Sequence, residues 1–491
     1  MRILLDTNIL IPLEDSSKAL EPHLAKLYQI ASQHGHQFYV HPASITDIAR
    51  DKNLSRAKIT RSRLDRYTFI ESPPRLSPQK ALVELNNDEV DAEILYSLKR
   101  NVASVLVTED RGIHKKSGED GLSAQVLYVQ QAVAWLERLH SEKQLTFPNI
   151  QDVPIHSLDI KSSFFDSLRE GYEGFDKWFS KSAQEGRKAW VYKGETDALL
   201  AICIYKKEHG PVVTDDGRGL KGNVLKLCTF KVGEDVRGRR VGELFLKAAL
   251  KYSFDNGLHW IYLTMIDTQE HLKDLCAKYG FLVLGRCGRG REIVMVKESP
   301  ACAPKAALAP LEYHIKYSPC IKLTPTTQVL VIPIQPTYHN LLFPEVGSQL
   351  ELFVNSTIGN GLTLAYLCHA KVKLIHPGDV IVFYRSHDLR EATTLGIVES
   401  SFITKDPEVI IRNVAKRTVF SMAEIGNMAC EKAVRVILFR LALHFPARVS
   451  HQILESEGAT KGNIQTIRKI NHNAFKKIAD IAGFKSRVLA D

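Results

Sequence analysis

The first apolar run, Ile3–Leu5, is short and ends directly in an acid, Asp6. A run this brief, apolar on both faces, predicts a buried parallel strand. Leu20, Leu24, Leu27 and Ile30 then recur at helical spacing, and Phe38–Val40 predicts a second strand. Ile94, Leu95 and Leu98 mark the inner side of a helix that opens near Asn87. Ala103–Val107 predicts a strand ending in Thr108-Glu109-Asp110, and Val126–Val129 one more. Strands alternating with helices predict a parallel sheet.

Beyond residue 150 the pattern changes. Phe164–Trp178 is aromatic-rich and helical in spacing, and Ala189–Tyr192 with Ala198–Tyr205 predicts a strand pair turning at Gly194. Val224–Val232 predicts a strand, followed by the loop Val236-Arg237-Gly238-Arg239-Arg240-Val241-Gly242 and a helix over Glu243–Phe254. Trp260–Met265 predicts another strand, Glu270–Lys278 a helix, and Tyr279–Gly285 a last strand. The stretch from about 145 to 160, opening with Leu145–Ile150, reads as a connector, and Ser299–Pro310, with three prolines and five alanines, as a linker. The third region is β-rich: Gln328–Ile332, Leu364–Val372, Val380–Tyr384 and Thr394–Val398. From Met422 onward the spacing of Val434, Ile437, Leu438, Leu441 and Leu443 predicts a helical tail carrying Lys461, Arg468, Lys469, Lys476 and Lys477.

Composition narrows the class. A chain of 491 residues suggests about three domains at ~150 residues each. With 44% hydrophobic and 24% charged residues it is globular rather than disordered. No apolar run is long enough to cross a bilayer and the first residues lack a signal-peptide pattern, so a cytosolic protein is expected. The eight cysteines are scattered without a C-x-x-C pair, which argues for reduced thiols and against a zinc knuckle. A net charge of +10 favours a polyanionic partner.

In the first region the candidate chemistry is acidic. Asp6 and Asp110 each end an apolar strand, while Asp47 and Asp91 sit near helix starts. Each alone is equally a helix cap or a dipole partner. At the carboxyl edge of one parallel sheet the four acids would converge. Crowded carboxylates stay ionised only with a cation, which points to a hard divalent ion that activates water on a phosphodiester. The run containing Arg50, Arg56, Arg61 and Arg63 is either a solvated face or a grip on phosphates. The strand ending in Asp-Thr-Asn, the helix-borne acid, the Asp-Ala-x-Ile-Leu helix and the strand ending in Thr-x-Asp together resemble PIN-domain nucleases. That resemblance implies a catalytic set of Asp6, Asp47, Asp91 and Asp110, with Asp6, Asp91 and Asp110 on Mg²⁺ or Mn²⁺ and Asn8 and Thr108 in support. Asp47 departs from the family, where glutamate is common.

The second region carries a different chemistry. A glycine-containing loop between strand and helix is either a tight turn or a cradle of backbone N–H groups for a pyrophosphate. The R-G-x-x-x-G loop before a helix and K-Y-G-F after the next resemble GNAT acetyltransferases. The resemblance implies that Val236, Arg237, Gly238, Arg239, Arg240, Val241 and Gly242 hold acetyl-CoA. Arg240 replaces the usual fourth-position glycine, and Cys276 stands where many members carry a tyrosine general acid, with Tyr279 one turn along.

In the third region the Pro-Gly-Asp turn, the strand ending in Tyr384 and the Gly-Ile-Val strand resemble PUA-like barrels of the ASCH or EVE type. That implies recognition of RNA or a modified base, with Tyr366 and Tyr384 as stacking candidates beside Tyr338 and Phe343. Aromatic strand residues serve equally as core.

The expected architecture is therefore multidomain α/β. It comprises a PIN-like α/β/α parallel sheet over 1–144, a GNAT-like sheet over 150–298, a linker over 299–310, a PUA-like barrel over 311–410 and a helical basic tail over 411–491. The expected function is a metal-dependent ribonuclease of a toxin–antitoxin system, with RNA and an antitoxin protein as partners. The alternative is an N-acetyltransferase without nuclease activity, or a nucleic-acid-binding regulator with degenerate catalytic domains.

Overall fold

The computed structural model describes residues 1–15, 20–140, 150–194, 197–300, 302–346, 358–370, 372, 374–414 and 417–490. Its contacts divide into two compact units: 1–144 with 403–434, and 145–402 with 435–491. Residues 145–149 of the expected connector lie outside the described residues, and its remainder, to about 160, contains a strand, Gln151–Pro154.

The first unit is built on β1 (Arg2–Leu5), β2 (Gln37–Val40), β3 (Thr68–Phe69), β4 (Val105–Val107) and β5 (Val126–Leu127), in the order β3-β2-β1-β4-β5. All neighbours run parallel. Ile3, Leu4 and Leu5 are fully buried because β1 is central, which is why the run is apolar at successive positions. The helices are α1 (Thr7–Glu14), α2 (Pro22–Gln33), α3 (Ser44–Ala49), α4 (Leu54–Arg63), α5 (Asn87–Lys99), α6 (Arg111–Glu119) and α7 (Val129–His140). Asp6 is the N-cap of α1 and Asp110 that of α6, so both strand-ending acids also cap helices. Helices Pro407–Val414 and Met422–Glu431 belong to this unit too, where Arg412 donates to Asn101 Oδ1 at 2.9 Å.

The second unit contains a seven-stranded sheet, ordered β11-β12-β10-β9-β8-β7-β6. Its strands are β6 (Gln151–Pro154), β7 (Lys188–Lys193), β8 (Leu199–His209), β9 (Asn223–Val232), β10 (Trp260–Ile266), β11 (Leu282–Cys287) and β12 (Glu292–Glu298). Helices α8 (Asp166–Gly171) and α9 (Phe175–Gln184) cover one face, around Phe165, Phe175, Phe179 and Ile202. Helices α10 (Val241–Asp255) and α11 (Glu270–Lys278) cover the other, around Leu227, Phe245, Leu263 and Cys276.

The rest of this unit carries α12 (Pro310–Tyr317), α13 (Pro336–Leu342), β13 (Ile321–Lys322), β14 (Val329–Ile334), β15 (Thr363–Cys368), β16 (Val380–Arg385), β17 (Glu391–Thr404), β18 (Val434–Ser450), β19 (Arg468–Ile470) and β20 (Leu489–Ala490). Six of these strands form one sheet, β15-β18-β17-β16-β14-β19. The tail expected to be helical is thus corrected: Val434–Ser450 is a 17-residue strand paired antiparallel with β15. Its first six residues are all buried, and a strand covered on both faces has no clean two-residue period to distinguish it from a helix. The predicted strand over Leu364–Val372 ends earlier, at Cys368. The proline- and alanine-rich stretch is held in place, since Tyr313 donates to Pro304 O at 2.7 Å and Lys322 to Ala306 O at 2.7 Å. No helix among the described residues is long and apolar enough to cross a membrane.

Candidate functional site

In the first unit, the parallel sheet brings the four acids to one edge. Thr108 Oγ1 donates to Asp6 at 2.5 Å, Asn8 Nδ2 donates to Thr108 at 3.1 Å, and Thr7 Oγ1 reaches Asp47 at 3.5 Å. Burial raises the Asp6 carboxyl to about 6, against the Thr108 and Thr7 hydrogen bonds and with help from the Asp110 and Asp47 charges. Burial and then the charges of Asp6 and Asp110 raise Asp91 to about 7. Burial also raises Asp47, with Arg50 opposing it. Asp91 is the fifth residue of α5, one turn further in than a first-turn acid. Among the described residues, no group of three or more His, Cys, Asp or Glu side chains could hold a metal ion. The expected Mg²⁺ or Mn²⁺ cage is therefore not formed by these side chains, and no metal-dependent step is derived from them.

The basic run is largely committed inside the protein. Arg50 donates to Asn87 Oδ1 at 3.0 Å and to Leu85 O, Arg56 holds Asp51 through two bonds of 2.7 and 2.8 Å, and Arg63 reaches Glu14 O at 2.8 Å. Arg61 is exposed. A nucleic-acid grip by the first three would have to displace these partners.

In the second unit, β9 and β10 pair in parallel only from Val224–Leu227 against Trp260–Leu263. Past that point β9 follows β8 to Val232 while β10 follows β12 to Ile266, so the two strands part. A cavity of about 380 Å³ adjoins the parting. Its walls include Cys228, Thr229 and Phe230 of β9, Thr264 of β10, Gln269, and Tyr172 and Trp178 from the α8–α9 side. Among its charged residues, Lys206 is paired with Glu208 at 2.5 Å and Arg187 with Glu185 at 2.6 Å. Glu173 and Glu292 line the same cavity.

β9 leads into the loop Val236–Gly242 and then α10, whose first amides have no partner within the helix. Gly238 has φ +83° and Arg240 φ +59°, both left-handed, as suits a chain that turns its N–H groups to one side. The Arg237 and Arg239 amides bond within the loop, to Glu234 O and Val236 O at 3.2 Å, so the groups that fit a pyrophosphate are the first amides of α10. Gly242 has a packing reason as well: a Cβ there would lie 2.9 Å from Leu275 Cδ2 on α11. The Arg240 side chain is turned away from solvent, 7% exposed, and bonds to Glu243 at 2.6 Å and to Thr363 O at 2.6 Å. Glu243 also accepts from Tyr279 Oη at 2.5 Å and from the Leu362 amide at 3.0 Å. The Arg240 and Lys278 charges, with the Arg240 and Tyr279 hydrogen bonds, outweigh burial and hold Glu243 far below the ordinary carboxylate range. This ionised acid escaped the sequence reading because a first-turn glutamate ordinarily signals only a helix start. Its place directly after the glycine-containing loop was the available signal.

Neither residue considered as thiol-proton donor lines the cavity. Cys276 is wholly buried, and desolvation pushes its thiol up to about 12. Tyr279 is 4% exposed and its hydroxyl is engaged by Glu243. In the third region Tyr384 is core, 2% exposed, with its hydroxyl 3.1 Å from His451 Nδ1. Tyr366 is partly buried and donates to Pro333 O at 2.6 Å. Phe343 is fully buried. The stacking role expected of Tyr384 is corrected accordingly: its ring fills the sheet's interior.

Residues 154–281 match the Acetyltransferase (GNAT) family, so the second unit contains a GNAT domain. The match lies outside residues 1–144, on which the PIN resemblance rests. Similar solved structures include ASCH from Zymomonas mobilis, 10% identical over 33% of this chain and 98% of that one, with a TM-score of 0.26. An IAA acetyltransferase from Bacillus cereus ATCC 14579 is 15% identical over 31% of this chain and 99% of that one, TM-score 0.25. A GNAT-family acetyltransferase from Listeria monocytogenes 4b F2365 is 17% identical over 31% and 94%, TM-score 0.23. No curated protein matches the chain.

Proposed function

We propose that the second unit transfers an acyl group from acyl-CoA, with acetyl-CoA as the first donor to test, to an amine bound in the cavity beside β9 and β10. The observation carrying this reading is the parting of the two strands next to a loop and helix start of the GNAT domain. Val236–Gly242 and the first amides of α10 would hold the pyrophosphate. When bound, acetyl-CoA supplies a thioester whose acyl carbon passes to nitrogen with release of a thiol. The residues of this chain position and deprotonate the amine. Glu173 and Glu292 attract a cationic amine, and Glu292 beside Tyr172 is the group we assign to accept its proton. Cys276 and Tyr279 are directed elsewhere, so neither side chain is assigned the thiol proton. Calorimetry with acetyl-CoA, followed by thiol release in the presence of an amine panel, tests the proposal. No binding at millimolar acetyl-CoA would end it.

A further inference from the structure

We infer that the segment Gly359–Thr363 is a latch closed over the coenzyme loop, and that it must lift for an acyl-CoA to bind. The inference rests on the acyl-CoA reading above and adds a regulatory contact to it.

The contacts are dense and come from residues more than a hundred positions apart. Asn360 Nδ2 donates to Arg239 O at 3.0 Å, and Lys247 of α10 donates to Gly359 O at 2.9 Å. Arg240 bonds to both oxygens of Thr363, at 2.6 Å to the carbonyl and 3.1 Å to the hydroxyl. The chain passes directly over the Arg240 guanidinium: a Cβ on Gly361 would lie 1.9 Å from Arg240 Cζ. Leu362 is 6% exposed and sits in the same apolar cluster as Val236, Val241 and Tyr279 of the GNAT domain. Its amide completes the coordination of Glu243.

Two consequences oppose an incoming phosphate. The guanidinium within the loop is spent on Glu243 and Thr363, so it offers nothing to an anion. The Glu243 carboxylate, in the first turn of α10, accepts from Arg240, Tyr279 and the Leu362 amide, and its negative charge repels a phosphate brought to that turn. A site competent only in its open fraction has its apparent affinity reduced by that fraction. Withdrawal of Leu362 and Asn360 removes the apolar wedge and a hydrogen bond without touching the loop itself.

The test measures acetyl-CoA affinity by calorimetry in the full-length wild type, in Asn360→Ala and in Leu362→Ala, alongside hydrogen exchange of the wild type. We expect each variant to bind about 10-fold more tightly, the change that roughly 1.4 kcal/mol of lost latch contact would give. We also expect acetyl-CoA to speed exchange of the Leu362 amide in the wild type, since lifting the latch breaks its bond to Glu243. Wild-type affinity in both variants, or slower exchange over 359–363 on binding, would overturn the latch and make the segment a wall of the site. Should Leu362→Ala fail to fold, Asn360→Ala and the wild-type exchange decide. Failure of every form to bind acetyl-CoA would instead overturn the coenzyme reading, which is a separable result.

Discussion

Leu362 and Glu243 are 119 positions apart in sequence, yet the amide of the first donates to the carboxylate of the second at 3.0 Å. The bond ties the start of β15 to the first turn of α10, so the six-stranded sheet and the helix after the Val236–Gly242 loop share one polar cluster. Arg240, Glu243, Tyr279, Leu362 and Thr363 are its members. Where the motif that the loop resembles carries glycine, the Arg240 side chain bonds to Glu243 and Thr363 and so anchors one part of the unit to another.

Arg240→Ala should destabilise the second unit by about 3–5 kcal/mol, because it leaves the Glu243 carboxylate buried without its partner. Adding Glu243→Gln should recover part of that loss by removing the orphaned charge. Urea denaturation of the two variants checks this, and a double variant no more stable than the single one would contradict it.

Stability of the first unit should fall as pH rises from about 4 to about 7. Asp6 and Asp91 keep their protons up to about 6 and about 7 in the folded state, whereas unfolded carboxyls ionise near 3.9. Over that window the unfolded chain binds fewer protons, so increasing pH favours it. The contribution is complete below pH 4 and gone above 7. Thermal melts across this range should shift down by several degrees, and Asp91→Asn should flatten the profile.

Tyr384→Ala should cost about 3–5 kcal/mol of stability, the usual effect of emptying a fully buried aromatic site. Any loss of RNA affinity should track unfolding and vanish under conditions that restore the fold. A well-folded variant with weakened RNA binding would return Tyr384 to the role of a stacking surface.

Cys276→Ala should leave acyl-transfer kcat within about 2-fold of wild type while lowering stability by roughly 1 kcal/mol, since the thiol is a small buried apolar group. A drop in kcat of the size typical for a lost general acid, about 10²-fold or more, would show that the thiol reaches the reaction after all.

Much of this was determined by the sequence alone. The short apolar runs at Ile3–Leu5 and Ala103–Val107, each too brief for a helix and each ending in a turn with an acid, were legible as buried parallel strands. The Val224–Val232 strand, the glycine-bearing loop and a helix over Glu243–Phe254 were also legible from local pattern, the structure starting that helix two residues earlier, at Val241. The tertiary structure decided what local patterns leave open. Val434–Ser450 is a strand because β15 pairs along it, and its apolar content alone suited either element. Tyr384 is core because the sheet closes over it. The four acids share an edge but make no ion-binding group, since strand order sets which loops meet while side-chain geometry sets how closely. Above all, the partners of Glu243 come from a segment over a hundred residues away. Pairings at that separation are chosen by packing of whole elements, and no local periodicity records them.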